Sequence, residues 1–212
     1  MSGKDGETRN RVLGVATRLF AARGFEKVTV REICREAEAN VAAVNYHFGD
    51  KLGLYREVLG QAIEVMRGTT EMARAEGQGR SPEDRLRIYV RVFMRRVVRK
   101  SQDSWIHTLM IHEMADPTPA LDMVIEQVLR PRMQYLGEVV ADMLQLPVDD
   151  ARVLRCVLTV QSQFHGLMMN PVLSRLAPGI QPTDDQIDAW TEHNATFALS
   201  GIHALRASAV GA

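Results

Sequence analysis

The sequence predicts an all-α protein in which a three-helix helix-turn-helix head is joined by a long helix to a larger helical domain. Apolar residues recur at helical spacing along most of the chain, and no stretch alternates as a strand does. Two short helical patterns meet at a tight turn in TVREICREAEANVAAVNYHFGDK, residues 29–51. With 212 residues, 46% hydrophobic and 25% charged, the chain is long enough for one small and one larger core, and its composition argues against disorder.

In chain order, residues 1–7 are polar and expected to fray, as an arm whose basic groups could touch a minor groove. A first helix spans about Thr8 to Arg23, with Val12, Leu13, Ala16, Leu19 and Phe20 along its inner side. Gly24 followed by Phe25 reads as a left-handed stop with a hydrophobic residue folding back. Thr29 caps a second helix with Val30, Ile33, Cys34 and Ala37 on one face, and Asn40 caps a third. At ~100° per residue, Val44 and Phe48 share one side of that third helix, and Ala42, Ala43, Asn45 and Tyr46 turn away from it. Val41 and His47 lie at the margins. Small side chains let a backbone approach a flat partner, the amide of Asn45 both donates and accepts, and Tyr46, His47 and Lys51 are donors for phosphate oxygens. This is the layout of a helix read into a DNA major groove.

From Lys51 a long helix keeps its period through Leu54, Tyr55, Val58, Leu59, Ala62, Ile63 and Met66, past the end of the head. EGQGR at 76–80 is a flexible break, and Ser81-Pro82-Glu83-Asp84 restarts helix with a cap, a proline at the first position and acids in the first turn. The next helix carries Arg87, Arg91, Arg95, Arg96 and Arg99, read as a solvated face with the alternative of an anion-attracting stripe. A helix over about Asp103–Met114 follows, then one opened by Thr118-Pro119 that breaks or kinks at Pro131. Asp149 is read as the cap of a helix whose apolar side holds Leu154, Val157, Leu158, Gln161, Phe164, His165 and Met168. Residues 171–182 are read as loop, and Thr183–Gln186 as a capping box. The last helix presents Ile187, Trp190, Asn194, Phe197, Ala198, Gly201 and Leu205 on one face.

Formal net charge is zero, with ten Lys/Arg against eight Asp/Glu in residues 1–60 and sixteen against eighteen in the remainder. DNA affinity must therefore come from placement, with Lys4, Arg9, Arg11 and Lys51 as contributors. Cys34 and Cys156 lie in apolar stripes and suit a reducing compartment as small hydrophobes, with a redox role for Cys34 as the alternative. The absence of a signal-peptide pattern and of an 18-residue apolar run leads us to expect a soluble cytoplasmic protein. There is no Gly-rich phosphate loop, HExxH, CxxC or GxSxG, and spacings of five and one keep His107, His112 and Glu113 off a shared face. No metal, cofactor or catalytic residue is expected. The alternative to a DNA-binding regulator is a helical small-molecule-binding or catalytic protein whose helix-turn-helix is structural.

The run from Asn40 through VAAVNYHF to Lys51, preceded by RLFAARGFEKVTVREI, resembles the DNA-binding domain of the tetracycline-repressor (TetR) family over residues 8–60. The resemblance implies a head at 1–50 and a ligand-binding and dimerisation domain at 51–212. It places phosphate contacts on Thr29, Tyr46, His47 and Lys51, and base contacts on Val41, Ala42, Ala43 and Asn45. One departure is Glu38 where the family has glycine at the turn; a left-handed residue there costs on the order of 1 kcal/mol. WIHTLMIHEMADPTPALD within residues 81–205 resembles the C-terminal domain of the CecR/CerR-type branch.

By that resemblance the protein is a homodimeric repressor of a palindromic operator, relieved by a small apolar effector. Its seam is expected from the last two long helices, at Val157, Gln161, Trp190, Asn194, Phe197, Ala198 and Gly201. Trp105, Met110, Met114, Met133, Phe164, His165 and Met168 are candidate cavity residues, because methionines adapt to irregular ligands; plain core is the alternative.

Overall fold

The computed structural model describes residues 2–98, 104–167, 175–176 and 186–210, and among these no strand occurs. The helices are α1 (Ser2–Arg23), α2 (Val30–Glu36), α3 (Val41–Phe48), α4 (Lys51–Glu76), α5 (Pro82–Val98), α6 (Ser104–Ala115), α7 (Leu121–Val124), α8 (Arg130–Leu144), α9 (Ala151–Leu167) and α10 (Ile187–Val210). None of the described helices is long and apolar enough to cross a membrane. The chain packs as two compact units, Met1–Met66 with Ser101–Val128, and Arg67–Lys100 with Leu129–Ala212.

In the first unit, Val12, Ala16, Phe20, Val28, Ile33, Val44, Leu54, Tyr55, Val58 and Leu59 are closed to solvent. Burying each large apolar side chain is worth ~1.5–3 kcal/mol, which is why three short helices hold. Phe20 and Tyr55 meet edge to face at 5.0 Å. Helix α1 begins six residues earlier than its apolar stripe predicts. Asp5 in its first turn complements the helix dipole, and Glu7 and Arg11 pair at 3.9 Å one turn apart, so the polar end is helical without a core to face. Gly24 stops α1 at φ 79, its N–H donating to Phe20 O at 2.8 Å. A Cβ at Gly24 would lie 3.3 Å from the His112 ring of α6, which packs along α1.

The second unit is built on Tyr89, Phe93, Tyr135 and Phe164, with Tyr89 and Phe93 centroids 4.3 Å apart and Phe93 and Phe164 5.7 Å apart. Tyr135 donates its hydroxyl to Ala73 O at 3.0 Å, and Gln161 Nε2 donates to the Tyr89 hydroxyl at 2.7 Å. Ser81 caps α5 as its sequence predicts, its Oγ accepting from Asp84 N at 3.1 Å. The α5 arginines are a solvated face with partners: Arg87 meets Glu192 at 2.9 Å, Arg91 meets Glu76 at 2.5 Å, and Arg95 meets Asp188 at 3.7 Å.

Three local expectations change. Of the kink or break expected at Pro131, the break does not occur: a widened π turn over Ile125–Leu129 runs into α8, with Pro131 in its first turn. A widened turn relieves the clash between the ring and the carbonyl four residues earlier without ending the helix. The cap of α9 is Asp150, whose Oδ1 accepts from Arg152 N at 2.8 Å, rather than Asp149. The hydrogen bonds from Arg152 hold the Asp150 carboxyl down at about 2. Finally, α9 packs through Val153, Cys156, Val157, Val160 and Phe164, leaving Leu154 and Leu158 exposed at 52% and 54%. Both stripes are apolar, and packing against α5 and α8 selects one. The expected loop at 171–182, apart from Arg175 and Leu176, and the expected capping box at 183–185 lie outside the described residues.

Candidate nucleic-acid interface

The head aims its polar groups by capping. Thr29 opens α2 in extended conformation, its Oγ1 accepting from Glu32 N at 3.2 Å, so the exposed hydroxyl keeps its own hydrogen for an outside acceptor. Asn40 opens α3 in the same way, with Oδ1 accepting from Ala43 N at 2.7 Å and the amide N–H groups left over. Arg23 ties α1 to α2 through Glu32, whose carboxyl its hydrogen bond holds below the usual range, and Arg18 adds a pair with Glu36. The turn passes through Glu38 at φ 49, so the family glycine position is left-handed here with an exposed acid on it.

Along α3, Val44 and Phe48 are buried while Val41, Ala42, Asn45 and Tyr46 are exposed, Tyr46 at 77%, with Ala43 half-buried between them. This is the division the spacing predicts. His47 differs: its side chain is 10% exposed, with Nε2 3.4 Å from Asp5 Oδ1 on α1. It braces the helix from behind. Lys51 opens α4 with its Nζ 4.1 Å from the centre of the Phe25 ring, a cation held at a helix N-terminus on the rim of the same face. Of the other expected cations, Arg9 is engaged by Glu57 at 2.6 Å and lies over Phe48, Arg11 donates Nε to Ala37 O at 3.3 Å, and the Lys4 side chain lies outside the described residues.

Two features escaped the sequence reading. Arg31 and Arg35 stand exposed one turn apart on α2, a spacing that could have marked them as a basic ridge. Gly53 is the second. A Cβ there would lie 1.9 Å from the Phe48 carbonyl oxygen, so only glycine lets α4 start against the end of α3, where its N–H donates to Asp50 Oδ1 at 2.7 Å. Its signal was a glycine in the first turn of a strong helix, where propensity disfavours it.

Residues 12–58 match the family model described as bacterial regulatory proteins, tetR family. Residues 82–202, more than half of the chain, match the model of the C-terminal domain of the HTH-type transcriptional dual regulator CecR. The chain belongs to the TetR family. Among curated relatives, this TetR-family chain is 32% identical to the probable HTH-type transcriptional regulator YttP of Bacillus subtilis over 79 residues, spanning 37% of the chain and 38% of that protein. It is 26% identical to the dual regulator CecR of Shigella flexneri over 168 residues, 73% of the chain and 72% of that protein. A crystal structure of a TetR-family transcriptional regulator from Streptomyces coelicolor superposes with a TM-score of 0.64 at 21% identity, covering 93% of this chain and 97% of that one, and shows the shared fold. These relatives are regulators, not enzymes.

The expected cavity and seam residues of this TetR-family chain fall as follows. Trp105, Met110 and Met114 belong to the first unit and Met133 and Phe164 to the second. Trp105 lines an open surface depression of about 350 Å³ with Gly14, Thr17, Arg18 and Ala22, Met110 is buried, and Met114 is 57% exposed. Met133 and Phe164 pack in the second core, and the His165 and Met168 side chains lie outside the described residues. Of the seam residues, Val157, Asn194 and Ala198 are buried in the chain's own core at 2%, 7% and 6% exposure. Gln161 is spent on Tyr89, Trp190 packs on the same core, and Asn194 Nδ2 approaches Met94 Sδ at 3.4 Å. Of the same expected set, Phe197 and Gly201 are exposed, so the residues expected at the seam divide between the chain's own core and its open surface. Leu154 and Leu158 on α9 and Phe197 and Leu205 on α10 are each more than half exposed, and Gly201 is exposed as well. A groove of about 420 Å³ runs there, lined by Cys156, Thr159, Phe197, Gly201 and Leu205 among others.

Proposed function

We propose that this protein is a homodimeric, ligand-responsive transcriptional regulator, acting in the cytoplasm as a repressor of a palindromic operator. Residues 1–50 are the DNA-binding domain and 51–212 the domain that binds the effector and the second copy. The observation that carries the reading is α3: it buries Val44 and Phe48 and leaves Val41, Ala42, Asn45 and Tyr46 outward, between the capped hydroxyl of Thr29 and the ammonium of Lys51. Asn45 reads a base edge, while Thr29, Tyr46 and Lys51 hold phosphates. His47 supports this face from its contact with Asp5.

The test is operator binding with two substitutions that must differ in kind. Lys51→Ala should weaken specific and random duplexes alike and flatten the salt slope by about one unit, whereas Asn45→Ala should cost ~1–3 kcal/mol mainly at one base pair. Equal losses on both kinds of DNA would remove Asn45 from base readout. Footprinting upstream of the protein's own gene supplies the duplex.

The dimer brings two recognition helices ~34 Å apart, or a multiple of it. Its seam is the exposed apolar surface of α9 and α10, to which Leu154, Leu158, Phe197 and Leu205 contribute, with Gly201 beside Phe197 and Leu205 in one groove. Phe197→Glu should therefore shift sedimentation to monomer and remove operator binding with far-UV circular dichroism unchanged. A dimeric Phe197→Glu protein would place the seam elsewhere.

A further inference from the structure

The sides of α2 face different surroundings. Ile33, Cys34 and Ala37 are buried in the core of the head. A second side is tied to α1, where Arg23 holds Glu32 and Arg18 holds Glu36. Arg31 and Arg35 occupy the remaining side, both exposed, ~100° round the helix from the two acids and turned away from the core. Three residues beyond Arg35 comes Glu38, exposed at φ 49 in the turn that leads to Asn40, the cap of α3. This charged row therefore runs down α2 into the corner from which Val41 and Ala42 start.

The placement matters because of what lies beside it. In a helix-turn-helix the second helix enters the major groove and the helix before it crosses the sugar-phosphate backbone. Residues one turn apart hold their Cβ atoms ~5–6 Å from each other, and long arginine stems adapt that separation to successive phosphates of one strand. The formal net charge of the whole chain is zero, so it offers DNA no general attraction and each cation set beside the α3 face counts. The other arginines of the head, Arg9, Arg18 and Arg23, meet Glu57, Glu36 and Glu32 and hold the head together. Among the described residues Arg31 and Arg35 make no such pair, and Arg35 acts on Glu32 only through space, behind Arg23.

We propose that Arg31 and Arg35 are a second row of phosphate-binding residues, laid along the DNA backbone that borders the groove α3 enters, and that Glu38 at the end of the row weakens this hold by repelling the same backbone. The inference rests on the DNA-binding reading above and extends its contacts to the exposed side of α2. It makes the row a source of sequence-independent affinity, with base choice left to α3.

The experiment titrates the full chain, over a range of salt, against the footprinted operator and a random duplex of the same length. Arg31→Ala and Arg35→Ala should each weaken both duplexes by the same factor and flatten the salt slope by about one unit per bound chain. Arg31→Lys and Arg35→Lys should keep the wild-type slope, because a phosphate accepts from an ammonium as it does from a guanidinium. Glu38→Gln should tighten both duplexes. Arg87→Ala removes the same charge from α5, where Arg87 meets Glu192, and should bind DNA as wild type does. An unchanged slope in both alanine variants, or an equal loss in Arg87→Ala, would overturn the proposal. So would a loss confined to the operator that lysine does not repair, since that marks a bidentate contact with a guanine edge. Weaker binding by Glu38→Gln would remove the acid from the backbone. Wild type that binds the operator while both alanine variants match it refutes this inference alone, whereas wild type that binds no duplex at any salt refutes the regulator and the row together.

Discussion

Glu113→Ala is expected to destabilise the first compact unit by ~3 kcal/mol, the scale for stranding donors of a buried charge-assisted network. Glu113 is 1% exposed and accepts from the Tyr55 hydroxyl at 2.6 Å, from Thr118 N at 3.0 Å and from Thr118 Oγ1 at 2.9 Å. It thereby joins α4, α6 and the segment leading to α7. Burial, and after it the carboxylate, push the Tyr55 hydroxyl well above its usual range, so it remains a donor throughout the accessible pH span. Glu113→Gln keeps an acceptor and should cost ~1 kcal/mol, since the Tyr55 oxygen can take the new amide hydrogen. Urea unfolding followed by circular dichroism measures both. A Glu113→Ala midpoint equal to wild type would mean that the network contributes nothing to stability.

Gly53→Ala should have an effect of similar size by a different route. The added methyl group would sit 1.9 Å from the Phe48 carbonyl oxygen, a backbone atom that cannot swing aside, so α3 and α4 must part. Forcing atoms into packed space costs ~1–3 kcal/mol and occasionally more. Because α3 carries the outward residues, operator affinity should fall with stability, whereas Gly60→Ala, with open space around its Cβ position, should leave affinity unchanged. An operator titration of the two variants decides. Full affinity in Gly53→Ala would show that this corner yields without moving α3.

Several site features were legible from local order alone. Thr29 and Asn40 are caps because their side chains reach back to N–H groups three residues on, a relation internal to five residues of chain. Which side of α3 faces out follows from Val44 and Phe48 sharing one side at helical spacing while Ala42, Asn45 and Tyr46 turn away from it. Gly53 and Glu113 were not legible, since the atoms that define their roles belong to other helices. His47 illustrates the same limit: its residue type suits a phosphate, and its place beside Asp5 depends on α1 being helical through its polar end.

The sequence by itself determined the all-α class, the positions of the caps, the capped restart at Ser81, the solvated arginine face of α5 and the outward face of α3. Each depends on a periodicity or a contact a few residues long, which the chain carries wherever it folds. Only the tertiary structure decided which of two apolar stripes on α9 is core, so that Val157 turns inward and Leu154 and Leu158 outward. It alone set Arg132 beside the Phe93 ring and brought Glu192 to Arg87. An apolar or charged residue has no intrinsic direction in a helix with two competent faces; the neighbours that bury one face set it, and they come from tens of residues away.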